Sequence, residues 1–151
     1  MIVVTGATGH VGNVLLRELA AHGAAHLRAV LEPGESSARL ENLDVQPVEA
    51  DMREYNALLT AFEAADVVFH RAVIVSIGST GMARLREVNL EGTRNVIAAC
   101  RAANVRRLIY TSSVHAFVEL PAGTCLDETT AIDPGRVHGP YATTKAEATL
   151  L

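Results

Sequence analysis

At 151 residues, with 49% apolar content and a formal net charge of −4, the chain has the size of one globular domain able to bury roughly 70% of its unfolded surface. Mild acidity without a basic run excludes the electrostatic footprint of a nucleic-acid or anionic-membrane binder, so no nucleic acid and no membrane partner is expected and a small molecule is. No apolar run reaches the roughly 20 residues of a membrane span, and Met1 leads into Ile2-Val3-Val4 without a basic leader, so the chain reads as cytoplasmic.

In chain order, strands are expected at Ile2 to Val4, Leu27 to Leu31, Val45 to Val48, Val67 to Phe69 and Leu108 to Thr111, where short β-branched or apolar runs occur. Helical spacing of apolar residues marks Val11 to Ala21, Glu54 to Ala64, Met82 to Ala103 and Tyr141 to Leu151. Strands alternating with helices predict an α/β fold with a doubly wound parallel sheet of Rossmann type. The long breaks are Gly78 to Gly81 and Glu119 to Gly139. Cys100, in a helical pattern, and Cys125, in a loop, lack metal-site spacing and are expected as reduced thiols. The last helical pattern reaches Leu151 with no stop signal, which predicts an incomplete α/β domain over 1–151, truncated before its last strands, with the strand at Leu108 left as an edge.

The run Thr5-Gly6-Ala7-Thr8-Gly9-His10-Val11-Gly12 ends the first strand and opens the first helix. Gly6 suits the tight turn, Gly9 the close approach of a pyrophosphate, and Gly12 close packing of helix on strand. The N–H groups at the helix start then face the anion, so Gly6, Thr8, Gly9, His10, Val11 and Gly12 are the expected cofactor contacts. Glu32 ends the second strand about twenty residues later, where an acid accepts from ribose hydroxyls and repels a 2′-phosphate. NAD is therefore expected, with NADP left open because Arg28 and Arg39 are near enough in sequence to reach a phosphate. Asp51, before Met52, is either an acceptor for the adenine amino group or a helix N-cap.

Lys145 is the sole lysine among thirteen basic residues. It follows Tyr141 by four, so both lie one turn apart on one helical face. An ammonium beside a phenol stabilises the phenolate, which makes the pair an acid–base device. Ser112 and Ser113 follow the last strand at the carboxyl edge, where open parallel sheets bind ligands; Ser113 either donates to a substrate carbonyl or bonds its own loop. His115 either faces substrate or is a loop histidine.

Taken together, Thr5 to Gly12, Glu32, Asp51, Val68-Phe69-His70-Arg71-Ala72, Val88-Asn89-Leu90-Glu91-Gly92-Thr93, Thr111-Ser112-Ser113 and Tyr141 to Lys145 resemble the extended short-chain dehydrogenase/reductase family along nearly the whole chain. The family includes NAD-dependent epimerases, dehydratases and dihydroflavonol reductase-like enzymes. The resemblance implies Tyr141 as general acid–base, Ser113 as the hydroxyl that orients substrate, and Lys145 as ribose ligand and partner of the tyrosine, with Asn89 in support. It implies cofactor neighbours at Asp51, Met52, His70, Arg71, Ala72 and Ser112, and a homodimer through helices 82–103 and 141–151. The family usually has Leu-Ala-Ala after the histidine; Arg71-Ala72-Val73 brings a guanidinium to the expected cofactor path. Val73 to Ile77 with Ser112 to His115 look closer to the reductase-like members than to the epimerases. The expected activity is NAD-dependent hydride transfer on a small alcohol, ketone or sugar. Two alternatives stand beside it, a non-catalytic dinucleotide sensor and an inactive fragment of the enzyme.

Overall fold

The computed structural model describes residues 1–75 and 81–151; the predicted break at Gly78 to Thr80, and Ser76-Ile77 of the reductase-like segment, lie outside them. The chain divides into two compact units, Met1–Val73 with Asn95–Thr111, and Ile74–Arg94 with Ser112–Leu151. The first unit holds five strands, β1 (Ile2–Thr5), β2 (Leu27–Leu31), β3 (Val45–Glu49), β4 (Val67–His70) and β5 (Arg107–Tyr110). All adjacent pairs are parallel, in the order β3-β2-β1-β4-β5. The expected Rossmann-type sheet is thus observed, with β3 and β5 as its outer strands.

Alternation along each strand builds a core on both faces. Val3 packs with Val30, Leu58, Phe62, Val68 and Val96, whereas its neighbour Val4 packs with Leu16, Ala29 and Leu31. Helix α1 (His10–Ala21) covers the second cluster through Leu16, and α2 (Tyr55–Ala61) covers the first through Leu58 and Ala61. Cys100, buried in the first cluster, is a free thiol whose pKa burial pushes up to about 12; Cys125 is free and exposed. The chain runs outward from β1 through β2 to β3, then returns to β4 beside β1. The reversal makes a crevice at the carboxyl ends of β1 and β4, where Thr5 stands opposite His70.

Two helices depart from their predicted bounds by more than two residues, whereas α1 starts one residue early and the last helix ends at Thr149, two residues short of Leu151. Helix α2 stops at Ala61, short of Ala64, because the chain turns there with Ala64 at φ 59°. The helix predicted from Met82 to Ala103 is composite: α3 (Met82–Leu85), a wider π-helical turn at Arg86–Glu91, and α4 (Gly92–Ala102). A one-residue-wider turn leaves the apolar spacing nearly intact, so sequence periodicity does not reveal it.

In the second unit, α5 (Pro140–Thr149) starts with proline at its first turn, where the missing N–H has no helical partner to lose. It packs against the π-turn and against 3₁₀ turns at Val114–Ala116 and Pro134–Arg136. Arg86 clamps it by donating to both carboxylate oxygens of Glu147, each at 2.7 Å. Among the described residues no helix is long and apolar enough to cross a membrane.

Candidate functional site

In the first unit the site is built from backbone. Gly6 has φ +63°, and a Cβ there would meet Ala72 N at 2.7 Å. A Cβ on Gly12 would lie 2.1 Å from Gly6 O. Both positions exclude any larger residue, so the turn presses against α1 and against the segment after β4. The first turn of α1 carries no acidic residue, so its N–H groups and dipole are uncontested and suit an anion. Beside them a cleft of about 440 Å³ is lined by Thr8, Gly9, His10, Asn13, Arg17, Arg39 and Glu41 among others. Arg39 donates to Thr8 O at 3.0 Å, and its own carbonyl accepts from Asn13 Nδ2 at 2.7 Å and Arg17 Nη2 at 3.1 Å. The glycine cradle, the bare helix start and the flanking cations fit a group with a diphosphate.

Thr5 locks the other side of the crevice. Its Oγ1 accepts from the N–H groups of Arg71 and Ala72, both at 3.1 Å, and lies 2.8 Å from His70 Nδ1. With both lone pairs occupied, the hydroxyl hydrogen points to Nδ1, so the proton of neutral His70 sits on Nε2. His70 is 1% exposed and works here as an acceptor that orders the turn. The guanidinium of Arg71 donates to Thr111 Oγ1, its Nε is buried with no hydrogen-bond partner, and burial holds its pKa below the usual arginine range.

Two acidic or basic readings change. Arg28 cannot serve a phosphate: its Nη1 donates to Ala61 O at 2.8 Å and Glu63 O at 3.0 Å, and its Nε to Gln46 at 3.0 Å. Asp51 is not the N-cap of α2, a position held by Glu54; it accepts the N–H of Arg53 at 2.9 Å and pairs with its guanidinium at 2.5 Å. At the end of β2, Glu32 is exposed, and the acid that touches the glycine turn is Glu35. Its carboxylate accepts from the Thr8 hydroxyl and from Glu32 N–H at 3.2 Å. The turn Glu32-Pro33-Gly34-Glu35, closed by Glu35 N–H on Glu32 O at 2.9 Å with Gly34 at φ +80°, folds it back. Pro-Gly was the signal for that turn. Met52 is buried, and its carbonyl accepts from Asn95 at 3.1 Å.

The second unit collects the polar side chains. Lys145 is 3% exposed on α5, one turn past Tyr141. A buried ammonium is costly enough that its charge must be used or paired. Ser113 caps the 3₁₀ turn by accepting His115 N–H at 3.2 Å, which leaves its hydroxyl hydrogen to donate elsewhere. That turn brings the His115 ring edge-on to the ring of Tyr141, centroids 6.2 Å apart. A recess of about 160 Å³ is lined by Val114, His115, Phe117, Leu126, Val137 and Ala142 among others. Thr149 Oγ1 donates to Lys145 O at 2.6 Å, so Ser112 Oγ, 2.7 Å away, is the donor to Thr149 and is committed to α5.

Asn89, 2% exposed on the π-turn, accepts Ile74 N–H at 2.9 Å and donates to Ile74 O at 3.0 Å and Thr144 Oγ1 at 3.3 Å. Both amide hydrogens are used and Oδ1 holds the Ile74 N–H, so Asn89 positions the backbone at Ile74 and α5. Thr144 and Ile74 were missed in the sequence, because a threonine within a helix and an aliphatic residue in an apolar run carry no chemical signature.

The sequence matches the 3-beta hydroxysteroid dehydrogenase/isomerase family over residues 3–151. It is 35% identical over 144 residues to sterol demethylase protein B of Methylococcus capsulatus, covering 95% of this chain and 43% of that protein. A short-chain dehydrogenase/reductase superfamily protein from Agrobacterium tumefaciens, solved with bound NAD, superposes with TM-score 0.81 at 27% identity, over 99% of this chain and 43% of that one. The UDP-glucose 4-epimerase of Thermus thermophilus, solved in complex with NAD, gives 0.85 at 27%, over 99% and 48%. The chain spans less than half the length of the curated relatives it matches.

Proposed function

Because the chain belongs to the 3-beta hydroxysteroid dehydrogenase/isomerase family, we propose that the whole protein is an NAD-dependent oxidoreductase acting on a small, largely apolar alcohol or ketone. When bound, the nicotinamide supplies the hydride acceptor or donor. The observation that carries the reading is a buried lysine one turn beyond Tyr141, on a helix packed against the turn that Ser113 caps. Tyr141 takes the proton of the reacting hydroxyl, or returns it to the carbonyl oxygen, with Lys145 one turn beyond it on the same helix. Ser113 donates its remaining hydrogen to that oxygen and holds it in place.

The glycine turn and the start of α1 hold the diphosphate, as the absence of any acid from the first turn of that helix supports. NAD is favoured over NADP by two carboxylates, Glu32 and Glu35, at the end of β2, and by the NAD in the matched Agrobacterium and Thermus structures. The apolar side chains of Val114, Phe117, Leu126 and Val137 in the recess, which His115, Glu119 and His138 also line, support a substrate with an apolar portion.

Tyr141→Phe removes the oxygen that carries the proton. Turnover should fall by about 10²- to 10⁴-fold while NAD affinity, read by calorimetric titration, is kept. Undiminished turnover overturns the role of Tyr141, and tighter binding of NADP than of NAD overturns the cofactor choice.

A further inference from the structure

We propose that Arg71 makes the cofactor site selective for the reduced dinucleotide, NADH, over NAD⁺, an inference that rests on the dinucleotide reading above. Arg71 directly follows β4, at the crevice where the strand order reverses. Its N–H is held by Thr5, and the backbone of Arg71 and Ala72 closes against Gly6, within 2.9 Å of where a Cβ would stand. Any dinucleotide seated on the glycine turn therefore lies beside this residue.

The side chain stays at the same carboxyl edge, donating to Thr111 at the end of β5, and its Nε is buried without a partner among the described residues. A guanidinium does not deprotonate under ordinary conditions, even with its pKa drawn down by burial. The partner seen for its charge is a neutral hydroxyl. Its field is thus less screened by water than that of Arg39 or Arg17, which are exposed and whose partners are likewise neutral oxygens. Taking up a hydride removes the positive charge of the nicotinamide ring, so NADH carries one more net negative charge than NAD⁺. A partly buried cation in the crevice stabilises the more negative form, the more so the nearer it lies to the nicotinamide ring, since the diphosphate charge is the same in both forms. The site then loads NADH and releases NAD⁺, as suits carbonyl reduction.

The test is direct binding of NADH and NAD⁺ to the whole protein, by calorimetry or dihydronicotinamide fluorescence, in wild type, Arg71→Leu and Arg71→Lys. The ratio Kd(NAD⁺)/Kd(NADH) should exceed unity in wild type, fall by about tenfold in Arg71→Leu and stay within about threefold of wild type in Arg71→Lys. An unchanged ratio in Arg71→Leu, or equal weakening of both cofactors, overturns the proposal while leaving the dinucleotide reading in place. A wild type that binds neither cofactor overturns that reading itself. Should Arg71→Leu lose its fold by circular dichroism, Arg71→Gln compared with Arg71→Lys is read by the same criterion.

Discussion

The two units hold their functional residues by different physics. In the unit that carries the sheet, position is imposed by backbone: parallel register, two apolar faces, and glycines at contacts where a single Cβ would stand 2.1 Å from Gly6 O or 2.7 Å from Ala72 N. In the unit that carries Tyr141, position is imposed by side-chain hydrogen bonds. Asn89 ties Ile74 to Thr144, and Ser112 ties the chain after β5 to Thr149. A backbone-built site is sensitive to added atoms, and a network-built site to removed ones. The first tolerates chemical change wherever volume is kept, while the second tolerates volume change only where every polar group keeps a partner.

Three substitutions test that contrast in the whole protein, each read by denaturant unfolding. Gly12→Ala should have the largest effect, about 3 kcal/mol or more, because one methyl group must displace the backbone at Gly6; NAD binding should be lost with it. A loss within about 0.5 kcal/mol, the range of neutral surface changes, would break the claim that contact of backbone with backbone sets the turn. Asn89→Leu keeps most of the volume but strands the N–H and C=O of Ile74, and should cost about 2 kcal/mol. If Asn89→Leu is neutral, the second unit is held by packing after all. Arg86→Ala should be the mildest, below about 1 kcal/mol, since its ion pair with Glu147 at 2.7 Å is partly exposed. A larger loss would mean that this clamp, and not the buried network, holds α5.

What was legible follows the same division. The glycine turn, the strand and helix alternation and the Tyr141–Lys145 spacing were all readable, because each rests on a short-range rule of sterics or helical period. The role of Asn89 was only half readable. Its neighbourhood was expected, but its duty to hold Ile74 depends on a partner 15 residues earlier and on a π-turn that apolar spacing conceals. The contact of Glu35 with Thr8 was not readable, although the intervening Pro-Gly turn was visible; a turn type predicts reversal of the chain, not what the returning side chain meets.

The sequence by itself determined the order of elements, the glycine-rich turn ahead of α1 and the placement of a tyrosine and the sole lysine one turn apart on a helix, since these need only neighbours along the chain. Tertiary structure alone decided that Arg28 is spent on the carbonyls at the end of α2, that Thr5 sets the proton position of His70, and that Arg71 meets Thr111 across 40 residues. The physical reason is sheet order. Placing β4 between β1 and β5 makes neighbours of residues that no local spacing connects, and the charge left at that edge depends on which of them meet.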